Sequence, residues 1–218
     1  MKTIKEITEA LKGSTQIEPW MDEIAQDDRA GVLKVWTQFQ KRLEKIEALQ
    51  KAHDEKLQFD AGYLPYENAY IAGTDEAGRG PLAGPVVTAA VILPNYCQEL
   101  LGVNDSKLLS KEKRNEYAER IKKHALYYAV HFQSVEEIDR LNIYEATRQS
   151  MLKSIEALEA TPHFILADAM TLPVAIPQAS IIKGDARSLA IAAASILAKT
   201  ARDEYMENLD LQFPEYGF

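Results

Sequence analysis

The chain is almost without cysteine: Cys97 is the only one in 218 residues. An internal disulfide is therefore excluded, which fits a reducing, cytoplasmic setting. Long apolar runs are missing too. None approaches the ~20 residues a membrane span requires. The start, Met1 to Lys12, is charged and amphipathic and has no apolar core of the kind a secretory signal needs. The four histidines, His53, His124, His131 and His163, are scattered with no zinc-ligand spacing. Positive charge is in short supply: 25 Lys and Arg face 33 Asp and Glu, a net charge of −8. That argues against a generic nucleic-acid binder with a broad basic face. It leaves room for local basic patches around an acidic metal site. No internal repeat is visible.

What is present is ordinary globular composition, 46% hydrophobic and 27% charged. The length suits one domain plus a small appendage. Residues 1–64 read as a helical extension and linker. Thr3 with Glu6 makes a capping box, Ile4, Ile7 and Leu11 form one stripe, and Gly13 ends the helix. Pro19 starts a short second helix, with Trp20 and Ile24 on one face. Asp28 caps a long third. Its seam, Val32, Trp36, Phe39, Leu43, Ile46, Gln50, His53 and Leu57, alternates steps of four and three. A hairpin packing on its own short partners explains this better than an arm gripping another molecule. Phe59 to Asn68, with Gly62 and Pro65, reads as a linker.

The pattern changes at residue 65. Tyr70–Thr74, Pro85–Leu93 and Leu126–Phe132 read as three antiparallel strands. Ser110 and Asn142 cap helices running to about Lys123 and Leu158. Phe164–Ala167 and Ala179–Ile182 read as further strands. An alanine-rich helix follows, from Ser188 to about Asn208. Ala192, Ala193 and Ala194 would let it lie close to a sheet. The expected class is α/β, a mixed sheet flanked by helices over residues 65–218.

Chemistry concentrates where strands end. Asp75 and Glu76 close the first strand, and a segment with Gly78, Gly80 and Gly84 follows. Adjacent carboxylates repel unless a cation neutralises them. Oxygen ligands suit Mg²⁺ or Mn²⁺. Alone, the pair is equally readable as an acidic turn. Asp168 also ends a strand, and Asp185 follows another after Lys183 and Gly184. Asp168 alone is readable as a turn residue and Asp185 as a helix cap. Together the acids suggest a converging cluster able to hold two cations, one activating water and one stabilising a leaving oxygen. The glycine spacing does not match a dinucleotide-binding loop, and Pro81 and Pro85 obstruct the helix it needs. Arg79 between two glycines suits close approach to a sugar–phosphate chain, where backbone groups test for a 2′-hydroxyl. Lys107, Lys111, Lys113 and Arg114 form a basic segment readable as phosphate contacts or as a solvated helix face.

The segment Asp75–Glu76–Ala77–Gly78–Arg79–Gly80–Pro81 resembles the signature of type 2 ribonuclease H, ribonuclease HII. Asn104–Asp105–Ser106–Lys107, Ala167–Asp168–Ala169, Ile182 to Ala186 and Ala192 to Lys199 match further segments of that family in order. The resemblance runs from about Tyr70 to Phe218. It implies a ribonuclease H-like five-stranded mixed sheet. It implies endonucleolytic hydrolysis of RNA in RNA–DNA hybrids, incision 5′ of single ribonucleotides in duplex DNA, and 5′-phosphate and 3′-hydroxyl ends. By matching position, Asp75, Glu76, Asp168 and Asp185 are the expected metal-binding and catalytic set, with Mg²⁺ or Mn²⁺ as cofactor. Gly78, Arg79 and Gly80 are the expected ribonucleotide-sensing loop. Asn104, Ser106, Lys107 and Lys183 are expected substrate contacts. Ribonucleotide excision repair and a monomer are further expectations, and the missing apolar run leads to none for a membrane partner. Alternatives are the type 3 enzyme, another two-metal nuclease, or a nucleic-acid-binding module without catalysis. Gly78–Arg79–Gly80 and the helical N-terminus favour type 2. The family continues past Phe218 with a His-Lys-Gly-Tyr segment. The expectation is therefore a catalytic domain incomplete at its C-terminus, cleaving poorly.

Overall fold

The computed structural model describes residues 2–104, 106 and 109–218. Two compact units emerge, Met1–Ala52 and His53–Phe218. In the first, α1 (Ile4–Lys12) carries the expected capping box. The Glu6 amide donates to the Thr3 hydroxyl at 3.3 Å, and the Thr3 amide donates to the Glu6 carboxylate at 2.7 Å. Gly13 closes the helix, and Arg42 donates to the carbonyls of Leu11 and Ser14. A 3₁₀ turn (Pro19–Met21) and α2 (Asp22–Ala25) lead to α3 (Ala30–Ala61). At its start, Asp27 accepts from the Arg29 amide at 3.0 Å and also clamps the Arg29 guanidinium. That double hold makes Asp27 the anchoring acid at a point where the sequence suggests Asp28. Val32, Phe39 and Leu43 bury against Ile7, Leu11, Met21 and Ile24, with Trp36 partly covered. The first half of the seam thus packs on its own short partners, each side chain contributing roughly 1.5–3 kcal/mol.

In the second unit, five strands form one mixed sheet in the order β3-β2-β1-β4-β5. They are β1 (Ile71–Ala77), β2 (Val86–Ile92), β3 (Tyr127–Gln133), β4 (Phe164–Asp168) and β5 (Gln178–Ile181). The first three pair antiparallel, and β4 and β5 join parallel to β1. β1 is longer than its apolar run suggests. Its pairing with β4 stops at Thr74, but its ladder with β2 continues through Asp75, Glu76 and Ala77. The acids therefore stand inside a strand, one half of whose hydrogen bonding persists.

Every residue of β2 is buried, and its side chains alternate between two cores. Ala89 and Val91 face the core with α4 (Lys111–His124) and α8 (Leu189–Gln212). Ala90 and Ile92 face the core with Met151 and Ile155 of α6 (Ile143–Glu156). Ser110 and Asn142 cap α4 and α6 as the sequence indicates, and Ser188 caps α8. Ser188 being the cap of α8 removes that bland role from Asp185. Two short helices, α5 (Val135–Leu141) and α7 (Gly184–Arg187), are additions to the expected list. Gly73 sits where α8 crosses β1. A Cβ there would run into the backbone of Ala190 and Ile191. Glycine and the alanines opposite are what let the helix lie on the strand. Phe59, Tyr63 and Leu64, just before the sheet, pack against Ile71, Leu166, Ile181 and Ile191.

Candidate active site

β1 and β4 lie side by side in parallel, with Thr74 opposite Ala167. The next residue on each strand is an aspartate. Register alone thus sets Asp75 beside Asp168, and Glu76 follows. One carboxylate oxygen from each of Asp75, Glu76 and Asp168 lies within 4.8 Å of the others. Asp75 is only 5% exposed. Burial pushes its carboxyl well above the ordinary range, and the neighbouring Glu76 and Asp168 push the same way. Burial also raises Glu76, with Asp168 adding repulsion and Arg79 opposing it.

Hydrogen bonds aim these groups. Asp75 accepts from the Glu76 amide at 2.7 Å and from the Ser195 hydroxyl. Asp168 accepts from the Gly184 amide at 2.7 Å. Glu76 accepts from Arg79 at 3.1 Å on Oε1, while its buried Oε2 has no hydrogen-bond partner among the described residues. Repelling buried acids with an orphaned carboxylate oxygen fit a hard divalent cation, whose charge offsets both the repulsion and the desolvation.

The cleft over these acids has a volume of about 420 Å³. Gly78, Arg79, Gly80, Ser106 and Asp185 line it with them. Asp185 sits on α7 beyond the three-acid group and accepts from the Ala186 amide at 2.9 Å. Lys183, before it, is exposed and holds a left-handed φ of 55°. Ser106 is buried and joined to Ser195 at 3.1 Å. Asn104 accepts from Lys56 at 3.0 Å. Lys107 and Asp105 lie outside the described residues.

Three lining residues of α8 escape a reading by strand ends. Ser195, Lys199 and Arg202 also face the cleft. Their spacing of four and three puts them on one helical face, and that polar stripe in an alanine-rich helix is the available signal. Arg202 is buried and donates to the carbonyls of Pro85 at 3.1 Å and Ala83 at 2.8 Å. It pins the glycine loop from beneath. Gly78, at φ +104°, lies so close to Arg202 and Pro85 that a side chain would collide with both. Around Gly80 there is open space, leaving that face of the loop accessible.

The family model described as Ribonuclease HII matches residues 72–218. A second, Ribonuclease HII N-terminal domain, matches residues 3–64. Ribonuclease HII of Halalkalibacterium halodurans is 47% identical over 99% of this chain and 82% of its own length. The Bacillus pumilus ribonuclease HII is 46% identical over 100% of this chain and 86% of its own. Among solved structures, ribonuclease H2 from Pyrococcus horikoshii superposes with a TM-score of 0.61 at 28% identity, covering 67% of this chain and 78% of that one. The acids, the glycine loop and the five-stranded sheet all lie within the matched region, and the chain belongs to the ribonuclease HII family, whose members are metal-dependent endoribonucleases.

Proposed function

We propose that this chain, an endonuclease of RNA–DNA hybrids by family, also incises 5′ of single ribonucleotides embedded in duplex DNA. The products are a 5′-phosphate and a 3′-hydroxyl. The observation that carries the reading is the meeting of three carboxylate oxygens within 4.8 Å beneath a glycine–arginine–glycine loop lining the same cleft. Asp75, Glu76 and Asp168 would hold the cations, with Asp185 completing the ligand set from the cleft wall. Two bound Mg²⁺ or Mn²⁺ ions would activate water and neutralise the leaving oxygen. Gly78, Arg79 and Gly80 place backbone groups and one guanidinium where a 2′-hydroxyl and its phosphate would lie. Asn104, Ser106, Lys107 and Lys183 act on the substrate side, with Ser106 steadying Ser195 and through it Asp75. Lys199 also lines the cleft, held by an ion pair to Asp203 at 2.5 Å.

The test is incubation of a DNA duplex bearing one ribonucleotide with Mg²⁺, Mn²⁺ or EDTA. Incision on the 5′ side of the ribonucleotide with either metal, and none with EDTA, is expected. Tight binding that persists in EDTA with no cleavage in any metal would instead mark a binding module.

A further inference from the structure

Asp185 is the one expected ligand that no sheet strand carries. It stands on α7, four residues long and begun by Lys183 in the left-handed region. A carboxylate on such a segment needs something outside it to fix its place. Two side chains of the final turns of α3 reach it. Lys56 is 5% exposed, and its Nζ donates to the Asp185 carbonyl at 2.8 Å and to the Asn104 side chain at 3.0 Å. Four residues on, Asp60 accepts from the Ala190 amide at 3.0 Å and is hydrogen-bonded by the Ser188 hydroxyl and the Leu189 amide. An i, i+4 pair lies on one helix face. One member thus holds the beginning of segment 185–190 and the other its end.

We propose that Lys56 and Asp60 are positioning residues that clamp the Asp185 segment, and that Lys56 also ties Asn104 to it. The inference rests on the assignment of Asp185 to the metal site. Burying an ammonium is costly unless its hydrogen bonds are met, and here they are met by a backbone carbonyl and an amide oxygen beside the site. Asp60 acts as a second cap on α8, taking amides that Ser188, engaged with Ile191, leaves over. Residues that orient metal ligands this way typically change metal affinity or turnover by about 10- to 100-fold when removed.

Lys56→Met keeps the length and the apolar stem while removing the donor. The measurements are Mn²⁺ affinity by calorimetry, kcat and KM on a single-ribonucleotide duplex, and hydrogen exchange of the peptide 184–191. Expected are a 10- to 100-fold loss in kcat and in Mn²⁺ affinity, a KM within about twofold, and faster exchange confined to that peptide. Asp60→Ala should behave alike, and Asp60→Asn, which keeps an acceptor for the Ala190 amide, should recover most of the loss. The Asp60 pair carries the test if Lys56→Met does not fold. Asp168→Asn serves as the reference. If it is inactive while Lys56→Met and Asp60→Ala match the unmodified protein, the clamp is overturned and the site reading stands. Should Asp168→Asn cleave normally, the site reading falls and the clamp with it. Faster exchange throughout the sheet would reduce both residues to general stabilisers and overturn the proposal as well.

Discussion

Arg79 donates to Glu76 across 3.1 Å, so the glycine loop and the acid cluster are held by a single ion pair three residues apart. The pair is partly exposed, and its value to stability is small. Its consequence is directional: it occupies Oε1 of Glu76 and leaves Oε2 without a hydrogen-bond partner among the described residues. Arg79→Ala should therefore disturb catalysis more than affinity. The expected result is a fall of about 10- to 100-fold in kcat/KM on a single-ribonucleotide duplex, against a change under about threefold in binding of an all-DNA duplex. Gel-shift and initial-rate measurements on the two substrates decide it. Equal losses would make Arg79 a general phosphate contact.

Asp168→Asn removes one of three mutually repelling charges. Cleavage should fall by on the order of 10³-fold or more at saturating Mg²⁺. The metal-free protein should melt higher, because Asp168 is one of the groups that disfavours ionised Asp75. Differential scanning calorimetry in EDTA tests the second half, and a lower melting temperature there would contradict it.

Metal binding should release protons, and more of them at lower pH. Asp75 and Glu76 are both raised above the ordinary carboxylate range, so part of the population holds a proton that a cation must displace. Mn²⁺ titrations in buffers of different ionisation enthalpy should show larger release at pH 6 than at pH 8. Release independent of pH would show that the cluster is fully ionised before the metal arrives.

Asp60 carries a stability signature. Burial pushes its carboxyl up to about 6 from 3.8. The folded protein therefore holds this proton where the unfolded chain has released it, and stability falls as pH rises from just below 4 through about 6. The full effect is on the order of 2–3 kcal/mol. Asp60→Asn cannot ionise, so its stability relative to the unmodified protein should rise by on the order of 1 kcal/mol between pH 5 and pH 7.5. Urea unfolding at the two pH values measures it, and parallel curves would count against the burial of this group.

Gly73→Ala and Gly80→Ala should separate packing from access. The first forces a methyl into the backbone of α8 and should cost about 2–3 kcal/mol. The second meets open space and should leave the melting temperature unchanged. A mild Gly73→Ala would mean that α8 can lift from β1 without loss.

Much of this was legible because strong local signals agree with the fold. Thr3, Ser110 and Asn142 announce their helices by hydrogen-bonding chemistry that needs no tertiary partner. Apolar strands ending at Asp75 and Asp168 announce the cluster. The extra length of β1 was hidden because Asp75 and Glu76 break its apolar run and their partners lie on β2. α5 is seven residues long and buries none of them, so Val135, Ile138 and Leu141 make too short a stripe to mark a helix. α7 is too short for periodicity, and its beginning at Lys183 depends on a left-handed residue that no side-chain preference foretells. Lys56, Lys199 and Arg202 sit on helices whose sequences read as a seam or as alanine-rich filler, and only the packing brings Lys199 and Arg202 to the cleft and Lys56 to the Asp185 carbonyl.

The parallel pairing of β1 with β4 has a bearing on how the protein becomes active. Thr74 and Ala167 are far apart in the chain, and their pairing is among the non-local contacts that close late in folding. Asp75 and Asp168 meet only when that ladder is in register. A slip of two residues would keep the side chains on their proper faces while carrying one acid about 7 Å from the other. Such a chain would look folded by helix content and bind no metal pair. Recovery of cleavage during refolding should therefore lag behind recovery of secondary structure, and the delay would report the moment the central ladder locks.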